Sequence, residues 1–100
     1  MPIQSVLQEY TTDQQTIGAS STGLSLTKIR NGGRWAERVI VNVTTAPIRW
    51  QSDGTDPTST VGRIAYQGET ITLDNRGRIQ NFRAIRLGST SSILEESFLA

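Results

Sequence analysis

The sequence predicts an all-β protein, a small antiparallel β-sandwich or barrel with a polar N-terminal arm. Turn-forming residues recur about every 8–12 positions, which is typical of sandwiches and small barrels. Between the turns, apolar and polar residues alternate with the two-residue period of a strand, and no stretch shows a convincing helical stripe. The 100 residues are the length of one domain, which buries a core without disulfides or metals, though with little margin.

The front of the chain differs from the rest. Residues 11–23 are mostly Thr, Ser, Gln and Gly, and Ile17 is the only large apolar residue among them. Such a stretch buries too little apolar surface to offset the entropy lost on ordering. We therefore divide the chain into an N-terminal arm or extended segment, 1–23, and a β-sandwich domain, 24–100. The arm is either flexible or ordered by a neighbouring subunit, and the sequence leaves both alternatives open.

The clearest predicted strand is 36–45, where three valines at alternate positions share one face. Residues 24–30 also alternate, and we predict that they form the partner strand of a hairpin. Asn-Gly-Gly at 31–33 supplies the turn, because glycine adopts positive φ at low cost. Trp35 then lies at the mouth of this hairpin.

Pro47 is expected to mark a sheet edge or a change of sheet after that strand. The segment 74–78 is predicted as a turn. For the last segment a helix remains an alternative, because Leu94 and Phe98 are four residues apart and would share a helical face. The predicted later strands are 48–52, 61–66, 71–73, 79–87 and 93–100.

The composition narrows the classes of function. Cysteine and histidine are both absent, so there are no disulfides, no cysteine zinc sites and no Ser-His catalysis. A net charge of +1 gives no overall attraction to nucleic acids or membranes, and no apolar run is long enough to span a bilayer. The first ten residues lack the pattern of a signal peptide. We expect no enzyme activity, no catalytic residues, no cofactor and no metal.

The loop after Trp50 contains two aspartates, Asp53 and Asp56, which raise the possibility of a calcium site. The loop lacks the EF-hand pattern and a third nearby carboxylate. Asp-Gly and Asp-Pro are also common turn dipeptides, and we favour that interpretation. Trp50 itself has strand spacing from Ile48 and is expected in the core, with an interface position as the alternative.

Arginine outnumbers lysine nine to one, which is the most informative compositional feature. Arginine is favoured where carboxylates are bridged or aromatic rings are stacked, and such places are often protein–protein interfaces. A phosphate-binding stripe is an alternative, but acidic residues are interspersed and few aromatics accompany the arginines. We therefore expect a protein partner and no nucleic acid. The basic residues are Lys28, Arg30, Arg34, Arg38, Arg49, Arg63, Arg76, Arg78, Arg83 and Arg86.

Several strings in the second half resemble small virion proteins of tailed bacteriophages. They are PIRWQSDGTDPTSTVG, YQGETITL and IQNFRAIR, followed by a Ser/Thr turn and a last strand that ends in an aromatic residue. The resemblance covers about residues 47–98 and contains no catalytic residue. The sequence departs from it at Glu96, where related chains tend to have an apolar residue. Two interpretations are that Glu96 faces a partner's arginine or that the strand ends early.

The resemblance implies a head decoration or cement subunit that stabilises a capsid through protein–protein contacts. It implies a location in the virion, assembled in the host cytoplasm, with the major capsid protein or other virion proteins as partners and a homo-oligomer, with a trimer favoured, as the unit. The alternative is a tail, neck or spike module that binds host-surface carbohydrate or another receptor. We expect no membrane association. The predicted interface residues are Arg30, Arg34, Trp35, Arg49, Asp53, Asp56, Arg83, Arg86 and Glu96.

Overall fold

A computed structural model describes residues 7–100 of the protein and confirms a small all-β fold. The longest elements are two strands of nine and eight residues, which lie near the two ends of the chain. The elements are β1 (Glu9–Ile17), α1 (Leu26–Ile29), β2 (Arg30–Asn31), β3 (Arg34–Trp35), β4 (Arg38–Val43), β5 (Ile48–Gln51), β6 (Arg63–Ala65), β7 (Thr70–Leu73), α2 (Arg76–Asn81), β8 (Arg83–Arg86) and β9 (Ser92–Leu99).

Two antiparallel sheets form the body of the described chain. One has four strands in the order β1-β9-β4-β7, and the other has three in the order β6-β5-β8. After β1 the chain crosses to the second sheet, where Thr22 exchanges two backbone hydrogen bonds of 3.0 Å with Ala84 on β8. The strands β2 and β3 form a small separate hairpin.

One apolar core lies between the two sheets. The three valines of β4 are buried on one face, which confirms the alternation predicted for this strand. Leu94 and Phe98 of β9 join them from the four-stranded sheet, and Ile48 of β5 and Phe82 join from the other side. Fully burying a side chain of this size contributes roughly 1.5–3 kcal/mol to folding. Residues of both sheets therefore depend on each other for burial.

Residues 9–17 belong to the four-stranded sheet rather than to a separate arm. β1 pairs with β9 along its length, from Glu9 opposite Leu99 to Ile17 opposite Ser92. Backbone pairing, rather than apolar burial by the stretch's own side chains, orders this polar segment. β1 is thus an extended segment of the kind named as the second alternative for 1–23, while the division at residue 24 stays a prediction and residues 1–6 lie outside the described residues.

The strand predicted at 24–30 is wrong, since most of this stretch is the single helical turn α1. The amides of Lys28 and Ile29 donate to the Ser25 carbonyl at 3.1 and 3.0 Å. The turn allows both Leu24 and Ile29 to be buried, although a separation of five residues would place them on opposite faces of a strand, and it turns Leu26 outward. The hairpin in the structure consists only of the two-residue strands β2 and β3, instead of the longer strands predicted.

The predicted turn at 31–33 is confirmed. Gly32 and Gly33 have φ angles of 59° and 81°. Positive φ at both central positions is what a two-residue type I′ hairpin turn requires.

The turn predicted at 74–78 and the strand predicted at 79–87 are partly wrong, because α2 spans Arg76–Asn81 and the strand is only Arg83–Arg86. The side chain of Asn75 caps the helix by accepting a hydrogen bond of 2.8 Å from the Arg78 amide. Ile79 and Phe82 are both buried by this arrangement. An Asn cap and an apolar pair three residues apart favour a helical turn, because residues three apart share one face of a helix but point to opposite faces of a strand.

The other strand predictions are confirmed with bounds that differ by up to two residues at either end. Pro47 lies between β4 and β5, which belong to different sheets, so the predicted change of sheet occurs there. The last segment forms β9, with alternate residues buried, and the helical alternative is wrong. Within residues 7–100, no helix is long and apolar enough to cross a membrane.

Candidate interaction surface

Two arginines lie against the ring of Trp35, where the β2–β3 hairpin meets α2. Arg30 and Trp35 are directly opposite in the β2–β3 hairpin, and the Arg30 guanidinium lies 4.2 Å from the centre of the Trp35 ring. Arg76, from the first turn of α2, places its guanidinium 5.5 Å from the same ring. With Leu26 and Arg34 these residues form what we call the Trp35 face.

The hairpin is attached to the core at its base. The Tyr10 hydroxyl, on β1, lies 2.9 Å from both the Lys28 and the Ile29 carbonyl oxygens and donates to them. Burial raises the pKa of Tyr10, while the positive charge of Arg34 opposes that shift. The Ala36 amide donates to the Ile29 carbonyl at 2.8 Å and closes the base of the hairpin. These bonds fix the backbone from which Arg30 and Trp35 project.

The Trp35 face combines positive charge with exposed apolar surface. Leu26 is 71% exposed, more than any other large apolar residue in the described chain. It borders a shallow cleft of about 380 Å³ that Thr27, Arg30, Gly33, Arg34 and Trp35 also line. A cleft lined by a tryptophan and two arginines is typical of protein contact sites.

Charge on the Trp35 face is weakly balanced. The one carboxylate paired with it in the described chain is Glu37, 3.8 Å from Arg76, and both side chains are about half exposed. Such an exposed ion pair contributes roughly 0–1 kcal/mol, so it is easily exchanged for another carboxylate. The face is therefore net positive and available to an acidic partner.

The loop between β5 and β6 uses its carboxylates internally. Asp53 accepts hydrogen bonds from the Thr55 amide, at 3.1 Å, and the Thr55 hydroxyl. These bonds hold the pKa of Asp53 below its ordinary value. Asp56 accepts from the Ser21 hydroxyl at 2.8 Å. Across residues 7–100, no three His, Cys, Asp or Glu residues are placed to hold a metal ion.

The same loop folds back over β5 as a packed connection. Pro57 is buried, and the Arg49 guanidinium donates to the Gly62 carbonyl at 2.9 Å. Gly62 has a φ of 129°, and a Cβ atom there would lie 3.1 Å from the Pro57 Cβ. Only glycine meets both conditions without strain. Trp50 is half buried beneath, with its ring centre 5.9 Å from that of Phe82, as the core prediction expected.

The predicted interface residues divide among several places. Arg30, Arg34 and Trp35 lie together on the Trp35 face, whereas Arg49 is half buried under the loop. Asp53 and Asp56 are exposed on the loop. Arg83 and Arg86 lie on β8, an edge strand of the three-stranded sheet. Sequence spacing alone does not bring these groups to one surface.

The prediction missed Leu26 and Arg76, the two members of the Trp35 face contributed by helices. Leu26 resembled a strand residue, and only its exposure distinguishes it from buried Leu24 and Ile29. Arg76 follows the capping residue Asn75, a signal that points to a helix start. Recognising that cap would have placed Arg76 on a helix, although not against Trp35.

Glu96 is not a surface residue, and both interpretations of it are wrong. Its side chain is 1% exposed, and β9 continues past it to Leu99. In the register of the sheet it lies opposite Asp13 on β1 and Val41 on β4. It points inward because side chains alternate along β9, and Leu94 and Phe98 on the same face are buried. Neither carboxylate oxygen has a hydrogen-bond partner within the described chain.

Burial, assisted by the charge of Asp13, raises the pKa of Glu96 from 4.5 to about 8. Other groups beside it are also unsatisfied: the Gln15 side-chain oxygen and the Ser92 hydroxyl are buried without partners in the part of the chain described. Each such group costs roughly 1–3 kcal/mol of stability. We call Asp13, Gln15, Ser92 and Glu96 the buried polar row, in which Ser92 and Glu96 are fully buried and Asp13 and Gln15 are partly buried.

Comparison with known proteins leaves the chain without a family. No protein-family description matches the sequence, and neither a curated protein nor a solved structure matches it.

Proposed function

We propose that this protein is a bacteriophage head decoration subunit that binds the outer surface of a capsid and stabilises it. The observation that carries the proposal is the Trp35 face, where a tryptophan and an exposed leucine lie among three arginines. The resemblance of residues 47–98 to small phage virion proteins, read from the sequence, is the reason for proposing a capsid as the location. Those residues run from the start of β5 through most of β9, so the similar part includes the whole three-stranded sheet and two strands, β7 and β9, of the other.

The Trp35 face fits a partner that presents carboxylates around an apolar residue. The guanidinium groups of Arg30 and Arg76 are exposed and held by stacking on Trp35, so binding costs them little side-chain entropy. Leu26 and the neighbouring cleft offer apolar area that loses its water on contact. Trp and Arg are the residue types most enriched in binding hot spots. The acidic partner surface belongs, in this proposal, to the major capsid protein.

The role needs no catalysis. In the loop 53–62 both carboxylates serve turn and loop contacts. The side chain of Glu96 is only 1% exposed, although the residue borders a surface cleft beside Asp13. The protein would act by adding contacts between capsid subunits, and contact energy alone raises the resistance of a shell to heat and internal pressure.

Receptor binding by a tail or spike is the less supported proposal. A sugar site generally needs an aromatic ring with a free face beside polar groups. Guanidinium groups already lie over both tryptophan rings, Arg30 and Arg76 over Trp35 and Arg63 over Trp50. The exposed ring of Tyr66 would be the remaining aromatic candidate in the described chain.

Removing the gene from the phage separates the two proposals. The decoration role predicts particles that assemble and adsorb to cells but release their DNA at lower temperature. Adding the purified protein back would restore heat resistance. Particles that remain as heat-resistant as the parent would contradict the decoration role, and particles that are stable but fail to adsorb would favour the receptor role.

A further inference from the structure

Three of the four exposed large apolar residues in the described chain lie on one strand and its flanks. Val61, Ile64 and Tyr66 are 48%, 38% and 57% exposed, while the fourth, Leu26, belongs to the Trp35 face. Single exposed apolar residues are common, but three within six residues concentrate exposed apolar surface on one short stretch of chain. Together with Arg63 and Glu69, we call this patch the β6 surface.

The strand at the centre of this patch is an edge. β6 pairs with β5 on one side and with no other strand in residues 7–100. An unpaired edge offers free backbone donors and acceptors to another strand, and proteins usually protect such edges with lysine, proline or a bulge. Residues 61–66 contain neither lysine nor proline, and the charged group of Arg63 lies over the protein's own Trp50, 5.2 Å from its ring centre.

The space beside this edge is open. A cleft of about 260 Å³ is lined by Ile64 of β6 and by Ile71 and Thr72 of β7, the edge strand of the other sheet. The turn that joins β6 to β7 is fixed by the Tyr66 amide, which donates to the Glu69 carboxylate at 2.6 Å. The edge of β6 is therefore held in place without being covered by the described chain.

The charges around β6 indicate which partner fits. Arg63 and Arg78 line the cleft together with Glu69, so the β6 surface carries both signs. A two-fold contact brings one patch against its own copy, and a patch with both signs is complementary to itself. The Trp35 face, which is net positive, would repel its copy. A uniformly acidic or basic partner would meet like charge at the β6 surface.

We propose that β6 pairs antiparallel with β6 of a second copy of this chain, about a two-fold axis at Ile64. The two three-stranded sheets then become one six-stranded sheet, and each Ile64 faces its counterpart across the axis at the ~5 Å spacing of cross-strand neighbours. The pairing gives a dimer, in place of the trimer expected from the phage resemblance. It does not depend on the decoration role, because it concerns the isolated protein.

Sedimentation velocity of the purified full-length protein over a concentration series tests this pairing. We expect a reversible dimer that dissociates on dilution. Ile64→Lys places a charge on the axis and should give a monomer at every concentration. Tyr66→Lys, at a more exposed position, should do the same and serves if Ile64→Lys fails to fold. Leu26→Lys makes the same change on the Trp35 face and should remain dimeric.

Three results would overturn the proposal. The first is a wild-type protein that is monomeric even at about 100 µM, where a contact of this kind should be populated. The second is a dimer or trimer that persists in a folded Ile64→Lys or Tyr66→Lys variant. The third is a dimer that Leu26→Lys dissociates while Ile64→Lys leaves it intact, which would place the contact on the Trp35 face.

Discussion

The Trp35 face and the buried polar row place charge in opposite situations. On the Trp35 face, Arg30 and Arg76 are solvated, stacked on an aromatic ring and placed where a partner reaches them. In the buried polar row, Glu96 is enclosed, lacks a hydrogen-bond partner within the described residues and faces Asp13. The first arrangement costs folding little and favours binding. The second arrangement lowers the stability of the fold and keeps the Glu96 carboxylate away from the surface.

The comparison teaches that residue type alone does not identify an interface. Arg30 and Glu96 were both expected to contact a partner, yet only Arg30 reaches the surface. Variants of the two regions should therefore differ in what they change. Changes in the buried polar row should alter stability without altering docking, and changes on the Trp35 face should alter docking far more than stability.

The largest expected effect is the pH dependence that Glu96 imposes on stability. Its pKa is raised to about 8 in the folded protein, so the folded state holds a proton that the unfolded state releases near 4.5. The stabilisation is complete below 4.5 and is lost as pH rises toward 8, by about 1.4 kcal/mol for each pH unit. Urea unfolding at a series of pH values measures this slope.

Glu96→Gln should remove most of that slope, because glutamine does not ionise. Glu95→Gln is the matched control, since Glu95 is the neighbouring residue on the exposed face of β9. It should leave the slope in place. Equal slopes for wild type and Glu96→Gln would show that Glu96 is not the titrating group. That result would contradict the description of the buried polar row.

The next effect concerns docking by Trp35. Trp35→Ala should weaken binding to capsids by about 30-fold or more, as expected for a hot-spot residue. Its unfolding free energy should fall by about 1–2 kcal/mol, because the ring is partly buried against the core, so binding is compared under conditions in which the variant is fully folded. Trp50→Phe keeps an aromatic ring against Phe82 and should bind as wild type does. A binding loss shared by both variants would mean that a general change in the fold is responsible.

A smaller effect is expected for the arginines that stack on Trp35. Arg30→Ala and Arg76→Ala should each weaken docking about tenfold, and should make it less sensitive to salt, since charge pairing with the partner is screened by ions. Arg38→Ala removes an exposed arginine on the outer face of β4 and is the matched control. Salt dependence that is unchanged in Arg30→Ala would argue against an acidic partner at this face.

The smallest effect is expected from the cap of α2. Asn75→Ala removes the side-chain bond to the Arg78 amide and should cost about 1 kcal/mol of stability in thermal or urea unfolding. Ser25→Ala changes the equivalent residue of α1, which makes no side-chain cap bond, and should cost close to nothing. A similar cost for both would show that the α2 cap does not stabilise the helix carrying Arg76.

The fold was predictable where residues alternate over a long strand. The valines of β4 and the glycine turn of the hairpin follow from local rules, and both are found in the structure. The helices α1 and α2 were missed because one or two turns carry too few residues to establish a helical period. β1 was missed because its order comes from pairing with β9, at the opposite end of the chain. No local pattern reports such a partner.

The candidate site was predictable only in part, for a related reason. Arg30 and Trp35 are joined by a two-residue turn, so the sequence places them side by side. Arg76 arrives from a helix more than forty residues later, and Leu26 is exposed because of a helical turn. Glu96 was expected at the surface because burying a charged carboxylate is costly, so a glutamate in a strand is ordinarily assigned to the exposed face.

The central claim is that the Trp35 face docks on a capsid while the buried polar row serves only the fold. The most direct measurement is the occupancy of capsids stripped of this protein after re-addition of wild type, Trp35→Ala or Glu96→Gln at equal concentrations. The account predicts full occupancy with wild type and Glu96→Gln, and little with Trp35→Ala, at a pH where all three remain folded. Full occupancy by Trp35→Ala, or no binding by the wild-type protein, would contradict it.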